Sequence, residues 1–287
     1  MHPRVPETSH APAPPAPPNI LLATDITGRT DRALDRAVAL ARQTRARLTI
    51  LHVAEADSGA EGSAEEQMRA AAARLAADLP AGLLDGAAAQ DFSITTRIEE
   101  GVPADVIADL ADREGIDVIV TGLARAEPHG LLLLGDTVDR LLRRAPAPVL
   151  VVRRRVTGPY QHLMIATDFS KPARHAVEAA LALFATARIT VVHAHDPAEA
   201  DEAGPALDRF IDGLAIAVPL RDRIARIAAP GTPATVLQDQ ATALDADLVA
   251  IGTRGHGILA EAVMGSAARQ VLAAIDCDAL VVPARGR

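Results

Sequence analysis

The chain has 287 residues, room for about two domains, and 49% of them are hydrophobic, which supports buried cores and rules out wholesale disorder. A net charge of −8 and an aromatic content of 2%, with no Trp and one Tyr, argue against a protein that lives on nucleic-acid phosphates or stacks bases. The single cysteine, Cys277, excludes an intrachain disulfide framework and a Cys-rich zinc site and fits a reducing cytoplasm. No apolar run approaches the ~20 residues of a membrane span. Neither a nucleic acid nor a membrane is therefore an expected partner.

Residues 1–18 carry seven prolines and no apolar h-region, so they read as a mobile Pro/Ala-rich tail and not as a targeting signal. The first strand signal is Ile20-Leu21-Leu22-Ala23-Thr24-Asp25, a short apolar run with a polar end. Ala33, Leu34, Ala37, Val38 and Ala41 then mark one face of a helix. A second strand, Leu48 to Val53, precedes an Ala-rich helix expected at about Ala64 to Leu79. Gly101-Val102-Pro103 reads as a helix start, because Pro in the first turn has a preset φ and no N–H to leave unpaired. A helix near Ala104–Glu114, a strand at Asp117–Thr121 and a last strand at Val149–Val152 follow.

The same order then returns. Leu163-Met164-Ile165-Ala166-Thr167-Asp168 repeats the first strand at an offset of 143. Ala176, Val177, Ala180, Leu181 and Phe184 repeat the helical face, and Ile189 to Ala194 repeats the second strand at an offset of 141. Gly231-Thr232-Pro233, a helix at Ala234–Leu244, a strand at Asp247–Ile251 and the strand Ala279–Val282 keep an offset of 130. The offset falls by 11 residues after the second strand, so the second crossover of the second half is short, with a helix near Leu207 to Val218. Alternating strands and helices imply parallel pairing and right-handed crossovers. The expected architecture is α/β: two tandem doubly wound parallel five-stranded sheets with helices on both faces. The first domain spans 19–154, the second 161–287, and Gly158-Pro159 lies in the linker. The last strand of each half is a candidate sheet edge, and the two edges are the expected contact of an intramolecular pseudo-dimer, with further homodimerisation left open.

The densest chemical signal is Ile251-Gly252-Thr253-Arg254-Gly255, followed by Gly265-Ser266, with the spacing Gly-x2-Gly-x9-Gly-Ser. Gly252 and Gly255 would let backbone approach a ligand with no Cβ in the way. Gly265-Ser266 opens the helix Ala267 to Ile275, whose first N–H groups lack intrahelical partners and form an anion site. Ser266 adds a hydroxyl, and Asp168 on the neighbouring strand end can accept from a base or ribose. Each glycine alone also reads as an ordinary turn residue, and Asp25 and Asp168 as caps of the loops that follow them. His193 and His195 share a strand face and could bind metal, but the sequence supplies no third ligand, and packing is the stronger reading. His52 stands where His193 stands, which suits a packing role in both copies. Leu131 to Leu134 reads as helix core or interdomain contact, and nothing near Cys277 makes it a catalytic thiol.

Taken together, the Ala-Thr-Asp strand end, the His that follows the apolar run of strand two and the Gly-x2-Gly-x9-Gly-Ser loop resemble the universal stress protein family in its ATP-binding branch. The resemblance covers both halves, from about Asn19 to Pro283. It implies a Rossmann-like, adenine-nucleotide-alpha-hydrolase-like fold and ATP as ligand, with Mg left open. Carried over by position, Ala166, Thr167, Asp168 and Ala194 would contact adenosine. Ile251, Gly252, Arg254, Gly255, Gly265, Ser266 and Ala267 would contact ribose and phosphates. The first half departs from this pattern: Gly122 and Gly135 are kept, but Arg125 stands for Gly255 and Asp136 for Ser266. Asp136 would cap its own helix and repel a phosphate. One competent site, in the second half, is expected. No Walker loop, nucleophile elbow or general base near the phosphates is evident, so no catalytic residue is assigned. The leading reading is a cytoplasmic ATP-binding stress sensor or adaptor with an unidentified protein partner. A nucleotide-independent interaction module and a slow ATP hydrolase are the alternatives.

Overall fold

A computed structural model of the chain describes residues 17–26, 31–55, 69–70, 73, 92–122, 135–253 and 266–284. The Ala-rich helix expected near 64–79 and the run 131–134 lie wholly or largely outside them. In the first half, β1 (Asn19–Thr24), α1 (Asp31–Thr44), β2 (Arg47–Ala54), β3 (Ser93–Glu100), α2 (Pro103–Glu114), β4 (Val118–Gly122), α3 (Asp136–Arg144) and β5 (Val149–Val152) follow in order. The second half repeats them as β6 (His162–Ala166), α4 (Lys171–Leu183), β7 (Arg188–His195), α5 (Ala200–Asp212), α6 (Val218–Arg221), β8 (Ala225–Pro230), α7 (Pro233–Ala243), β9 (Leu248–Gly252), α8 (Ser266–Ala274) and β10 (Asp278–Val282).

The doubly wound α/β arrangement expected of each half is present, but the two sheets are one. The strand order is β3-β2-β1-β4-β5-β10-β9-β6-β7-β8. Strands are parallel within each half, and β5 meets β10 antiparallel, with Leu150 opposite Leu280 and Val149 and Val151 opposite Val281 and Ala279. Leu150 and Leu280 are equivalent residues of the repeat, so a pseudo-twofold axis passes between them. Both strands would otherwise expose an unpaired edge, and pairing them satisfies those N–H and C=O groups.

Strand side chains are buried on both faces, as in sheets covered by helices on two sides. Ile20, Leu22, Leu163 and Ile165 face α1, α4 and α5, whereas Leu21, Ala23, Met164 and Val249 face α2, α3, α7 and α8. Both layers run unbroken through the junction. Among the described residues no helix is long and apolar enough to cross a membrane.

One helix differs from the sequence reading. The short crossover helix of the second half begins at Ala200, not near Leu207, because the Asp196 carboxylate accepts from Ala198 N (2.9 Å) and starts a 3-10 turn at Pro197–Glu199 that feeds straight into α5. The Gly-x-Pro helix starts behave alike in both halves: Gly101 and Gly231 have φ of 142° and 135°, a conformation that disfavours any side chain.

The halves are fastened by a buried carboxylate. Asp278, fully buried, accepts from the Arg153 and Arg154 amides through Oδ1 (2.7 and 2.9 Å) and from the Tyr160 hydroxyl through Oδ2 (2.6 Å). The Arg36 guanidinium lies over the Tyr160 ring, 3.9 Å from its centroid, with Nε 3.6 Å from Asp278 Oδ2. The linker 154–161 is thus held down by groups from α1 and β10.

Candidate functional site

In open α/β sheets a crevice forms where neighbouring strands send their connections to opposite faces. In the second half that point lies between β6 and β9. The end of β6 is shaped by its own side chains. The Thr167 hydroxyl accepts from Phe169 N (2.9 Å), and Phe169 takes φ of 63°. Asp168 Oδ1 accepts from Ser170 N (3.1 Å), and Ser170 Oγ accepts from Ala173 N (3.3 Å), capping α4. Asp168 therefore helps to shape the loop and also lines the hollow beside it.

His193 holds the same strand end from the next strand: its Nδ1–H donates to the Thr167 carbonyl (2.9 Å), and its ring packs on Phe169, centroids 4.1 Å apart. In the first half His52 Nδ1 is 2.9 Å from the Thr24 carbonyl, and Thr24 Oγ1 accepts from Ile26 N, itself at φ of 54°. The paired histidines are thus a structural device of both repeats. His195 uses Nδ1 on the Asp196 carbonyl (2.8 Å). Among the described residues no group of three or more His, Cys, Asp or Glu side chains converges.

The hollow beyond β6 and β9 has a volume of about 310 Å³. Seven of the residues expected at the site line it: Ala166, Thr167, Asp168, Ala194, Ile251, Gly252 and Ala267. Ser266 is the first residue of α8, next to Ala267. Arg254, Gly255 and Gly265 lie outside the described residues, as does Arg125 of the first half. The wall also includes Val192, Pro233, Leu237, Ala268 and Val271, which the sequence reading missed. For Leu237, Ala268 and Val271 the signal was present as the inward helical positions after Pro233 and Ser266. Apart from Thr167 and Asp168 the surround is apolar, and the first turn of α8 brings backbone N–H groups without intrahelical partners.

One expectation gains a second physical reason and one needs correction. Gly252 lines the hollow, but the chain itself requires it to be glycine. A Cβ there would stand 2.4 Å from the Pro172 carbonyl carbon and oxygen and 2.8 Å from Ala173 N, so glycine is needed for the docking of α4 on β9. Asp136 does not cap α3. Gly135 is the N-cap, with no side-chain cap bond, and Asp136 is the first helical residue, exposed. Its charge still lies in the first turn, where it complements the helix dipole.

The equivalent hollow of the first half is about half as large, at about 160 Å³. The reason lies in paired side chains. Leu51, Val53, Thr137, Val138 and Leu141 line it where the second half has Val192, Ala194, Ala267, Ala268 and Val271. Each of these five first-half residues is larger by one or two non-hydrogen atoms, while Thr121 against Ile251 runs the other way. Ligand pockets generally span about 300–1,000 Å³, so one hollow reaches that range and the other does not. Cys277 lies elsewhere, buried, with its thiol pushed up to about 11, chiefly by burial. It has none of the character of a nucleophile.

The fold agrees with what the chain is similar to. The universal stress protein family model matches residues 18–153 and again 159–283. The chain belongs to the universal stress protein family, in a tandem form. A protein of Staphylococcus haemolyticus described as a universal stress protein is 29% identical over 159 residues, spanning 53% of this chain and 95% of that one. The crystal structure of a universal stress protein from Archaeoglobus fulgidus superposes with a TM-score of 0.71 at 16% identity, covering 94% of this chain and all of that one. A Pseudomonas aeruginosa protein of unknown function superposes at 0.66 and 21% identity, with 93% of each chain covered. At these identities the structures speak for the fold.

Proposed function

We propose that the second half binds ATP in the hollow between β6 and β9 and that the protein acts as a cytoplasmic stress-response sensor or adaptor. The observation that carries this reading is the difference between the hollows, about 310 Å³ against 160 Å³, with smaller residues in the second hollow at five paired wall positions. Ala166, Thr167, Asp168 and Ala194 hold adenosine. Ile251, Gly252, Arg254, Gly255, Gly265, Ser266 and Ala267 hold ribose and phosphates. The apolar wall suits a flat base, and the start of α8 suits an anion. The domains of this reading are 19–154, with a degenerate nucleotide loop, and 161–287.

Bound nucleotide acts here as a conformational ligand. It favours one arrangement of the segment between Gly252 and Gly265 through differential affinity, and so alters the surface offered to a protein partner. Calorimetric titration of the full chain tests this. Saturable binding of one ATP, weakened in Ser266→Ala, supports the reading, and the absence of heat at millimolar ATP overturns it in favour of a nucleotide-independent module. Sustained phosphate release, lost in Ser266→Ala, would instead establish a slow hydrolase.

A further inference from the structure

α8 is the wall of the second hollow that carries its anion-binding end, and the first half grips it. At the C-terminal end, Arg153 follows β5 and is only 7% exposed. Its guanidinium donates to the Ile275 carbonyl (2.7 Å) and to the Leu272 carbonyl. These are the carbonyls a helix leaves without intrahelical partners, where a cation also complements the dipole. Nearer the start of α8, Arg269 Nη2 lies 3.0 Å from Asp139 Oδ1 of α3, and Asp139 is steadied by Arg143 one turn on.

Among the described residues the grip is one-sided. Asp139 and Arg269 occupy equivalent positions of the repeat, at an offset of 130, so perfect symmetry would have placed like charges against each other. The residue equivalent to Arg153 is Pro283, which has no cation to offer α3. The helix held this way borders the larger hollow, and the helix doing the holding borders the smaller one.

We infer that the anion-binding end of the second-half hollow is a joint product of both halves, with Asp139 and Arg153 as positioning residues that fix α8. The first half, its own hollow about half as large, serves as a buttress for the site of the second. The inference rests on the ATP reading above and adds a residue-level dependence that the reading does not require. Adenosine rests on β6 and β7 as well as on the apolar face of α8, whereas the phosphates depend on its first turn. Loosening α8 therefore weakens ATP more than adenosine.

The test is titration of the full-length wild type, Asp139→Ala, Asp139→Glu and Arg153→Lys with ATP and, separately, with adenosine. Arg153→Lys keeps the charge but loses the planar fork that reaches two carbonyls. Asp139→Ala and Arg153→Lys should weaken ATP about two- to fivefold, the scale of a partly exposed ion pair. Adenosine should change by less than about twofold, and Asp139→Glu should restore ATP binding. An unchanged ratio of ATP to adenosine affinity in both weakening variants, or an equal loss for both ligands, overturns the inference while the ATP reading stands. A wild type that takes neither ligand ends both. Asp139 is partly exposed, so if Arg153→Lys fails to fold, the two Asp139 variants decide alone.

Discussion

Tyr160 and Asp278 meet 118 residues apart in sequence, hydroxyl to carboxylate at 2.6 Å, in the buried seam between the two halves. Burial first, and the Asp278 carboxylate second, push the Tyr160 pKa well above its ordinary 10.0. The folded chain keeps the phenol protonated where the unfolded chain ionises. The stability tied to this group is therefore complete below pH 10.0 and declines as pH rises from there through the folded value. The chain has one Tyr and no Trp, so tyrosinate absorbance reports this residue alone. Its native midpoint should lie above 10.0 and fall in Asp278→Asn; ionisation like that of a free tyrosine would contradict the seam described here.

Removing either partner should cost stability unequally. Tyr160→Phe leaves a buried carboxylate one donor short, at about 1–3 kcal/mol. Asp278→Ala strips the Arg36 guanidinium and three donors of their shared acceptor, about 3–5 kcal/mol by the scale of broken buried ion pairs. Denaturant melts of both variants check the ranking.

Gly252→Ala should destabilise the second half, because the new Cβ would meet Pro172 backbone at 2.4 Å, and backbone cannot step aside as a flexible side chain can. A loss of about 1–3 kcal/mol is expected from such overpacking. A melt identical to wild type would show that α4 docks less closely than the 2.4 Å approach implies.

Ala194→Val with Ala268→Val converts two wall positions of the larger hollow to the residues the first half carries at Val53 and Val138. The pair should abolish or strongly weaken ATP binding with little change in thermal midpoint. Retained affinity would mean that the ligand does not enter the hollow.

Cys277 should resist thiol reagents in the native state at neutral pH, since it is 1% exposed and its pKa is raised to about 11. It should react fully once denaturant unfolds the chain. Fast labelling without denaturant would show that the end of α8 opens readily.

Much of this architecture was readable because the chain states it twice. The Ala-Thr-Asp strand ends, the following helical faces and the Gly-x-Pro starts recur at fixed offsets, and strands apolar on both faces announce helices above and below. The size difference between the hollows was also written in the sequence, in Leu51 against Val192 and Val138 against Ala268. It becomes visible only once the fold shows that these positions share one wall. The role of Gly252 was not readable, because the backbone it accommodates belongs to Pro172, 80 residues earlier. Asp278 escaped for the same reason: its partners come from α1 and the linker, and no local pattern foretells a meeting at the seam.

The antiparallel ladder of β5 and β10 joins two segments of one polypeptide. Dilution cannot part them as it parts subunits, because the tether keeps their effective concentration constant however scarce the protein becomes. A seam assembled this way persists at the lowest copy numbers.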